Sequence, residues 1–180
     1  HNTIADNTRQ ERLNATIDEV LRRTGADKVD LVGHSMGTAV SQKYLATSSQ
    51  AAKVAHYVNV DGDGNNALPG GVPTMNIIAS IGKEIDGAEN IYLTNHTHVQ
   101  GMSSPETFAY MYEFFTGEAP ATTDVVPSTA STLTLQGKIV NFITNAIPLP
   151  ISIGIFEVNP ATGQRLRNEP DHIQEIGEDG

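Results

Sequence analysis

The chain has 180 residues, enough for one domain with a sizeable core or for a domain followed by a small module. Its 21 acidic and 11 basic residues give a formal net charge of −10, which argues against nucleic acid and against an anionic membrane surface as partners. The chain has no cysteine, which excludes disulfides and zinc–thiolate sites, and no apolar stretch reaches the roughly 18 residues of a membrane span.

The first predicted element is a helix from Asn7 to Thr24, where apolar residues recur at helical spacing. These residues are Leu13, Ile17, Val20 and Leu21. Gly25 follows where a C-terminal cap is expected, so this helix should cover one face of a sheet. Val29 to Val32 is then typical of a short buried strand, and Thr38 to Thr47 of a second helix.

Between that strand and that helix lies Gly33-His34-Ser35-Met36-Gly37, a Gly-X-Ser-X-Gly pattern on a strand-to-helix turn. A chance match occurs in about one chain in twenty of this length, so the flanking strand and helix carry much of the argument. A turn this sharp strains the serine backbone and brings the two glycines close together, and only glycine, which has no Cβ, relieves that crowding. It also lifts the hydroxyl clear of the sheet, and the N–H of Met36 then points to where an oxyanion would form. The pattern predicts Ser35 as a nucleophile and Met36 as an oxyanion donor.

The next predicted strand, Tyr57 to Val60, leads into Asp61-Gly62-Asp63-Gly64-Asn65-Asn66. The alternating oxygen ligands of this loop resemble part of a calcium-binding loop, but no bidentate glutamate stands at the twelfth position. We therefore predict no metal and no cofactor.

Two further strands are predicted at Val72 to Ala79 and Ile91 to Leu93, with a turn at Asp86-Gly87 between them. The last strand ends at Asn95-His96-Thr97-His98. Ser, Asp and His in this chain order suit a catalytic triad, whose members should lie beyond the carboxyl ends of parallel strands. Asp61 meets that condition, and Asp63 is its rival in the same loop. Asp86 precedes a strand, which places it at the opposite edge.

After the histidines, Ser103-Ser104-Pro105-Glu106 has the chemistry of a helix start, and Gly117 ends that helix. Its apolar stripe consists of Phe108, Met111, Tyr112 and Phe115. A stripe at this spacing could line a lipid-binding groove, but we interpret it as core.

Ala, Thr and Pro dominate residues 119–127, which predicts a linker between a core at 1–118 and a β-rich module at 128–180. Short strands are expected around Leu133 and Leu135, at Ile139 to Ile143, and around Ile151, Ile153 and Ile155. A turn at Asn159 to Gly163 should precede another strand at Gln164 to Arg167.

Ser35 in its glycine pattern, with Asp and His downstream, resembles the α/β-hydrolase superfamily. The stretch Ile85-Asp86-Gly87-Ala88 before His98 is similar to the small class 2 lipases of bacteria. A closer resemblance, over nearly the whole chain, is to an archaeal type of long-chain lipase with a β-barrel C-terminal domain. The segments that carry it are Ala51 to His56, Val60-Asp61-Gly62, Thr97 to Gln100, Ser104 to Ala109 and Ala121 to Asp124.

This resemblance implies hydrolysis of carboxylic esters or lipids by a serine nucleophile without a metal cofactor. Position by position, it places the triad on Ser35, Asp61 and His98, and so favours His98 over His96. It also implies that the C-terminal module contacts lipid substrate. In one departure, Ser80-Ile81-Gly82 offers no carboxylate where many relatives carry the acid.

The expected fold is α/β: the C-terminal part of a doubly wound hydrolase sheet, followed by an incomplete β-rich module. Only one helix and one strand precede the Ser35 turn, so we expect the N-terminal strands and a second oxyanion donor to lie outside this chain. Alternatives are a thioesterase or lactonase with the same triad, and a non-catalytic protein that binds lipid or polymer. The sequence leaves localisation and oligomeric state open.

Overall fold

A computed structural model of the chain describes residues 8–124, 134, 136–141, 146–159 and 164–178. The chain divides into two compact units. The larger one is Asn7–Val126, and the other contains Pro127–Gly180.

The larger unit is built on a four-stranded parallel sheet with strand order β1-β2-β3-β4. The strands are β1 (Val29–His34), β2 (Val54–Val60), β3 (Thr74–Ile78) and β4 (Glu89–Tyr92). The two central strands are buried along most of their length, as near-continuous apolar runs in a covered parallel sheet should be. Because all four strands run the same way, the segments that follow them emerge at one edge of the sheet.

Helices connect and cover the strands. They are α1 (Arg9–Thr24), α2 (Met36–Leu45), α3 (Ser48–Ala51), a 3₁₀ turn at Pro69–Gly71, α4 (Gln100–Ser103) and α5 (Pro105–Thr116). The predicted ends of two helices are confirmed, since α1 ends at Gly25 and α5 at Gly117, both with positive φ. The predicted start of α5 is also confirmed, because the Ser104 side chain accepts a hydrogen bond from the Thr107 N–H.

Two apolar clusters lie on opposite faces of the sheet. Neighbouring residues of β2 separate between them, with Tyr57 in one cluster and Val58 in the other, as the period of two requires. The first cluster includes Ile17 of α1 and Leu45 of α2. The second is covered by Met111, Phe114 and Phe115 of α5. Among the described residues, no helix has the length and apolar character to cross a membrane.

The interpretation of the α5 stripe as core is wrong for two of its four residues. Met111 and Phe115 pack against the sheet, whereas Phe108 and Tyr112 are exposed and their rings lie 5.7 Å apart. Each helical step rotates the side chain by about 100°, so a face centred on Met111 and Phe114 turns Tyr112 toward solvent. Val20 of α1 is likewise exposed rather than packed against the sheet.

The predicted bounds differ most from those of the structure where a helix or strand extends beyond the apolar residues that indicate it. Strand β2 begins at Val54 rather than Tyr57, and α2 begins at Met36 rather than Thr38. Parallel pairing with β1 carries β2 through His56, a residue that an apolar pattern does not count. Helix α4 is too short to show a periodicity.

In the second unit, β5 (Ser152–Ile155) pairs antiparallel with β6 (His172–Glu175). This confirms the strand predicted around Ile153. Strand β6 has a single apolar residue, so its pattern does not predict it. The strand predicted at Gln164 to Arg167 is reduced to one bridge between Val158 and Arg165. In the strand predicted at Ile139 to Ile143, residues 139–141 form no strand, and residues 142 and 143 lie outside the described residues. Leu133, Leu135 and most of the predicted 159–163 turn lie outside the described residues.

Candidate active site

The segments that follow the four parallel strands lie at the same edge of the sheet. Ser35 directly follows β1, and Asp61 directly follows β2. Residues 79–82 follow β3, and His98 lies in the loop between β4 and α4. Strand order and sequence order coincide, so these four segments lie side by side.

Ser35 occupies a strained backbone conformation at φ 55° and ψ −126°. Among the described residues, the only other non-glycine residue with a positive φ is Asp61, at 44°. Positive φ is uncommon outside glycine and concentrates at functional sites, so both predicted residues stand out by their backbone alone. The Ser35 N–H donates to the Val60 carbonyl oxygen at 3.0 Å, which ties the turn to the end of β2.

The crowding expected at the two glycines of the turn falls on one of them. A Cβ on Gly33 would lie 2.8 Å from Ser41 Oγ and 3.1 Å from the Gly37 carbonyl oxygen. A Cβ on Gly37 would meet no atom within 4 Å. The expectation that both positions exclude a side chain is therefore wrong for Gly37, which lies inside α2 with open space beside it.

We expect Gly33→Ala to lower the free energy of unfolding by about 1 to 3 kcal/mol, since the methyl group overpacks the turn. Gly37→Ala should raise it by roughly 0.5 to 1 kcal/mol, because alanine replaces glycine inside a helix. Chemical denaturation of the two variants beside the wild-type protein measures both effects. Equal destabilisation by the two substitutions would contradict this account of the turn.

The Asp61 side chain is fully buried and saturated with hydrogen bonds. Its Oδ1 accepts from three backbone N–H groups, those of Ala79 (2.9 Å), Ile81 (3.1 Å) and Gly82 (2.7 Å). We call these three donors the N–H cage. Ser80 Oγ donates to the other oxygen, Oδ2, at 3.1 Å.

This environment keeps Asp61 ionised. Burial by itself raises the pKa of the carboxyl group, but the hydrogen bonds from His98 and from the N–H cage outweigh burial and hold the pKa well below its usual range. Asp61 is therefore a carboxylate throughout the neutral range.

His98 is joined to this carboxylate by a hydrogen bond of 2.7 Å between its Nδ1 and Asp61 Oδ2. About a third of the His98 side chain is exposed, while Asp61 is completely enclosed. With Nδ1 donating to a carboxylate, Nε2 is the nitrogen left to accept a proton. The pair thus has the geometry of a base oriented by an acid.

His34 packs against His98 from the residue before Ser35. The centroids of the two imidazole rings are 4.6 Å apart, and His34 Nε2 lies 3.0 Å from the His98 carbonyl oxygen. This contact brings the end of β1 against the His98 loop.

The Ser35 hydroxyl has no hydrogen-bond partner among the described residues. Contacts between a nucleophile and a general base are often long without substrate and tighten when substrate binds. Met36, the other predicted residue, is the first residue of α2, where a backbone N–H has no partner within the helix.

Thr38 ties the Ser35 turn to the Asp61 loop. Its buried hydroxyl donates to the Ser35 carbonyl oxygen at 2.7 Å and accepts from the Asp63 N–H at 2.9 Å. A Cβ on Gly62 would lie 2.8 Å from the same Ser35 oxygen and against Thr38. Close approach to the turn thus accounts for Gly62 in the loop that resembles part of a calcium site. No group of three or more His, Cys, Asp or Glu suited to a metal is present in the described part of the chain.

The alternative candidates for the acid and the base do not take part in the hydrogen bond between Asp61 and His98. Asp86 is exposed in the turn before β4, where its N–H donates to the Asn65 carbonyl oxygen. Asp63 lines a polar surface cavity of about 650 Å³ together with Lys83. His96 lies 3.5 Å from Glu106. The hydrogen bond to Asp61 belongs to His98.

Comparison with known protein families agrees with this architecture. A family model described as the alpha/beta hydrolase fold matches residues 2–78, a stretch that contains Ser35 and Asp61. Together with the four-stranded parallel sheet, this match fits a partial α/β-hydrolase fold. The prediction of the fold class is confirmed, both by this match and by the parallel sheet with its small antiparallel companion.

Sequence reasoning missed most of the groups that surround Asp61 in this α/β-hydrolase fold. In the sequence, the segment after β3 differs from the hydrolase pattern only in that Ser80-Ile81-Gly82 lacks a carboxylate. The structure shows that the same segment supplies the N–H cage to an acid on the neighbouring strand. Backbone donors leave no mark in a sequence, and Gly82 is the one signal: a Cβ there would lie 2.9 Å from Asp61 Oδ1.

Proposed function

We propose that the protein is a serine hydrolase that cleaves carboxylic esters through Ser35, His98 and Asp61. The observation that carries this proposal is the 2.7 Å hydrogen bond from His98 to a buried, ionised Asp61 at the sheet edge where Ser35 emerges. The α/β-hydrolase match supports a hydrolase in general terms. The strained backbone at both Ser35 and Asp61 adds support from geometry.

In the proposed mechanism, His98 Nε2 accepts the hydroxyl proton as Ser35 Oγ attacks the ester carbonyl carbon. Asp61 holds the imidazole in the tautomer that leaves Nε2 free, and stabilises the positive charge that forms. The N–H of Met36 donates to the tetrahedral oxyanion, a contribution worth about 3 to 4 kcal/mol per donor. His98 then returns the proton to the leaving alcohol, and water hydrolyses the acyl-enzyme by the same steps.

Exposed apolar side chains around these residues favour an apolar acyl group. Met36 next to Ser35 is 45% exposed, Val99 next to His98 is 67% exposed, and Ile81 of the N–H cage is 61% exposed. Three large apolar side chains left in water around one polar centre are suited to contact hydrocarbon. A lipid ester, as the resemblance to long-chain lipases implies, therefore fits the site better than a small polar ester.

A fluorophosphonate probe tests the nucleophile directly. We expect the intact protein to be labelled at Ser35, with loss of labelling in Ser35→Ala, because the probe reacts only with a serine activated by a base. Ser49→Ala, which removes an exposed serine of α3, is the matched control and should be labelled like the wild type. Mass spectrometry of the labelled peptide identifies the site. A folded protein that hydrolyses no p-nitrophenyl ester and takes up no probe would instead be a binding protein on a hydrolase scaffold.

A further inference from the structure

Three asparagines form a row of hydrogen-bonded side chains across the sheet. Asn59, Asn76 and Asn90 are register partners on β2, β3 and β4. Asn59 Nδ2 donates to Asn76 Oδ1 at 2.8 Å, and Asn76 Nδ2 donates to Asn90 Oδ1 at 2.6 Å. Asn59 and Asn76 are fully buried. We call this row the asparagine ladder.

Each member of the ladder also binds backbone outside the strands, and for Asn59 and Asn76 this backbone follows their own strands at the carboxyl edge. Asn59 Nδ2 contacts the Asp63 carbonyl oxygen at 3.3 Å, and Asn76 Nδ2 donates to the Lys83 carbonyl oxygen at 2.9 Å. Asn90 instead binds the turn before its own strand, with Nδ2 donating to the Ile85 oxygen at 3.1 Å. The three side chains are identical, but Asn59 binds the loop after β2, while Asn76 and Asn90 bind different parts of the connection between β3 and β4.

The loop fixed by Asn76 is the one that holds the acid. Lys83 directly follows Gly82, which donates the shortest bond of the N–H cage to Asp61 Oδ1. The Lys83 N–H in turn donates to the carbonyl oxygen of Gly62, the residue after Asp61, at 3.1 Å. Asn76 thus binds Lys83, the residue that joins the segment of the N–H cage to the backbone directly after Asp61.

Apolar side chains at these three positions could pack on the sheet without the desolvation free energy that burial of a carboxamide costs. A buried amide row is tolerated because every member is satisfied, and a satisfied network specifies one arrangement of the groups that it binds. From these contacts we infer that Asn76 is a positioning residue for catalysis: its carboxamide sets the N–H cage, which fixes Asp61 and, through Asp61, the orientation of His98. Only the predicted effect of Asn76 on kcat rests on the proposed function.

The test compares Asn76→Ala with Asn90→Ala in the intact protein. Both variants remove one member of the ladder, but only Asn76 binds Lys83, the residue directly after the N–H cage, whereas Asn90 binds Ile85 nearer to β4. The readout that is independent of activity is the NMR resonance of the His98 Nδ1 proton, assigned by its absence in His98→Ala. We expect this resonance to move or broaden in Asn76→Ala and to stay in place in Asn90→Ala.

In turnover, kcat of Asn76→Ala should fall roughly ten- to a hundred-fold with KM unchanged, since a small displacement of the base impairs chemistry rather than binding. Asn90→Ala should keep kcat within about two-fold under conditions where both variants are folded. If Asn76→Ala does not fold, Asn76→Ser replaces it, because its hydroxyl keeps a donor and an acceptor in the ladder but is one bond too short to replace Nδ2.

Two results would overturn the inference: an unchanged His98 resonance in the folded Asn76 variant, or equal losses of kcat in the Asn76 and Asn90 variants. A different result separates the two proposals. If the resonance responds as expected while the wild-type protein hydrolyses no ester, the positioning role stands and the proposed function fails.

Discussion

Replacement of His98 by alanine is expected to lower kcat for ester hydrolysis by roughly 10⁶, as loss of the general base does in serine proteases. Without the imidazole, no group accepts the Ser35 proton, and none returns a proton to the leaving alcohol. The buried Asp61 would also lose the 2.7 Å hydrogen bond from His98 Nδ1. Steady-state kinetics on a p-nitrophenyl ester, with circular dichroism to confirm the fold, measures the effect.

The matched control is His96→Ala, two residues earlier in the same loop. His96 lies near Glu106 at 3.5 Å, and its Nδ1 is buried without a partner among the described residues. Its loss should leave kcat within a few-fold, because His96 contributes to the loop and not to the proton transfer. A dead His96→Ala beside an active His98→Ala would reverse the assignment of the base.

Asp61→Asn is expected to lower kcat by about 10⁴ near neutral pH with the fold retained, as the equivalent change does in a serine protease. The carboxylate accepts from the three N–H groups of the cage and from His98, and an amide cannot accept from both sides. Either the amide NH₂ faces the cage, or it faces His98 and forces the tautomer in which Nε2 carries the proton. In both cases the base loses its orientation. The measurement is kcat at pH 7 to 8.

Asp86→Asn and Asp63→Asn are the controls for this substitution. Both aspartates are exposed, and neither side chain contacts His98 in the structure. We expect both variants to retain kcat within a few-fold. Loss of activity in Asp86→Asn together with normal turnover in Asp61→Asn would show that the acid has been wrongly assigned.

Much of the site could be predicted because strand direction is legible in a sequence. A residue that directly follows a buried strand of a parallel sheet must lie at the carboxyl edge, and this rule alone separates Asp61 from Asp86. The Ser35 turn is recognised by its glycines, and the start of α5 by its capping residues. These signals are local, because each one depends on the conformation of a few consecutive residues.

Exposure of the α5 aromatics and the asymmetry of the two turn glycines could not be predicted in the same way. Phe108 and Tyr112 satisfy the helical spacing of a core face, but the sheet covers only part of that face. Gly33 and Gly37 are identical in sequence, and they differ because Ser41 and the helix backbone approach one of them alone. Periodicity specifies which residues share a face and leaves open how wide a surface the neighbouring element covers.

By itself, the sequence determined the order of the four parallel strands and of the three longer helices, the serine turn, and the candidate acid and base at the carboxyl edge. Only the tertiary structure decided which groups hold the acid. These are the N–H cage from residues 79–82, the Thr38 hydroxyl that links the Ser35 turn to the Asp61 loop, and the asparagine ladder. The physical reason is that backbone N–H groups are the same at every residue, so their partners depend on strand register. In a parallel sheet, register joins residues far apart in the chain, such as Asn59 and Asn76, through contacts that no local pattern encodes.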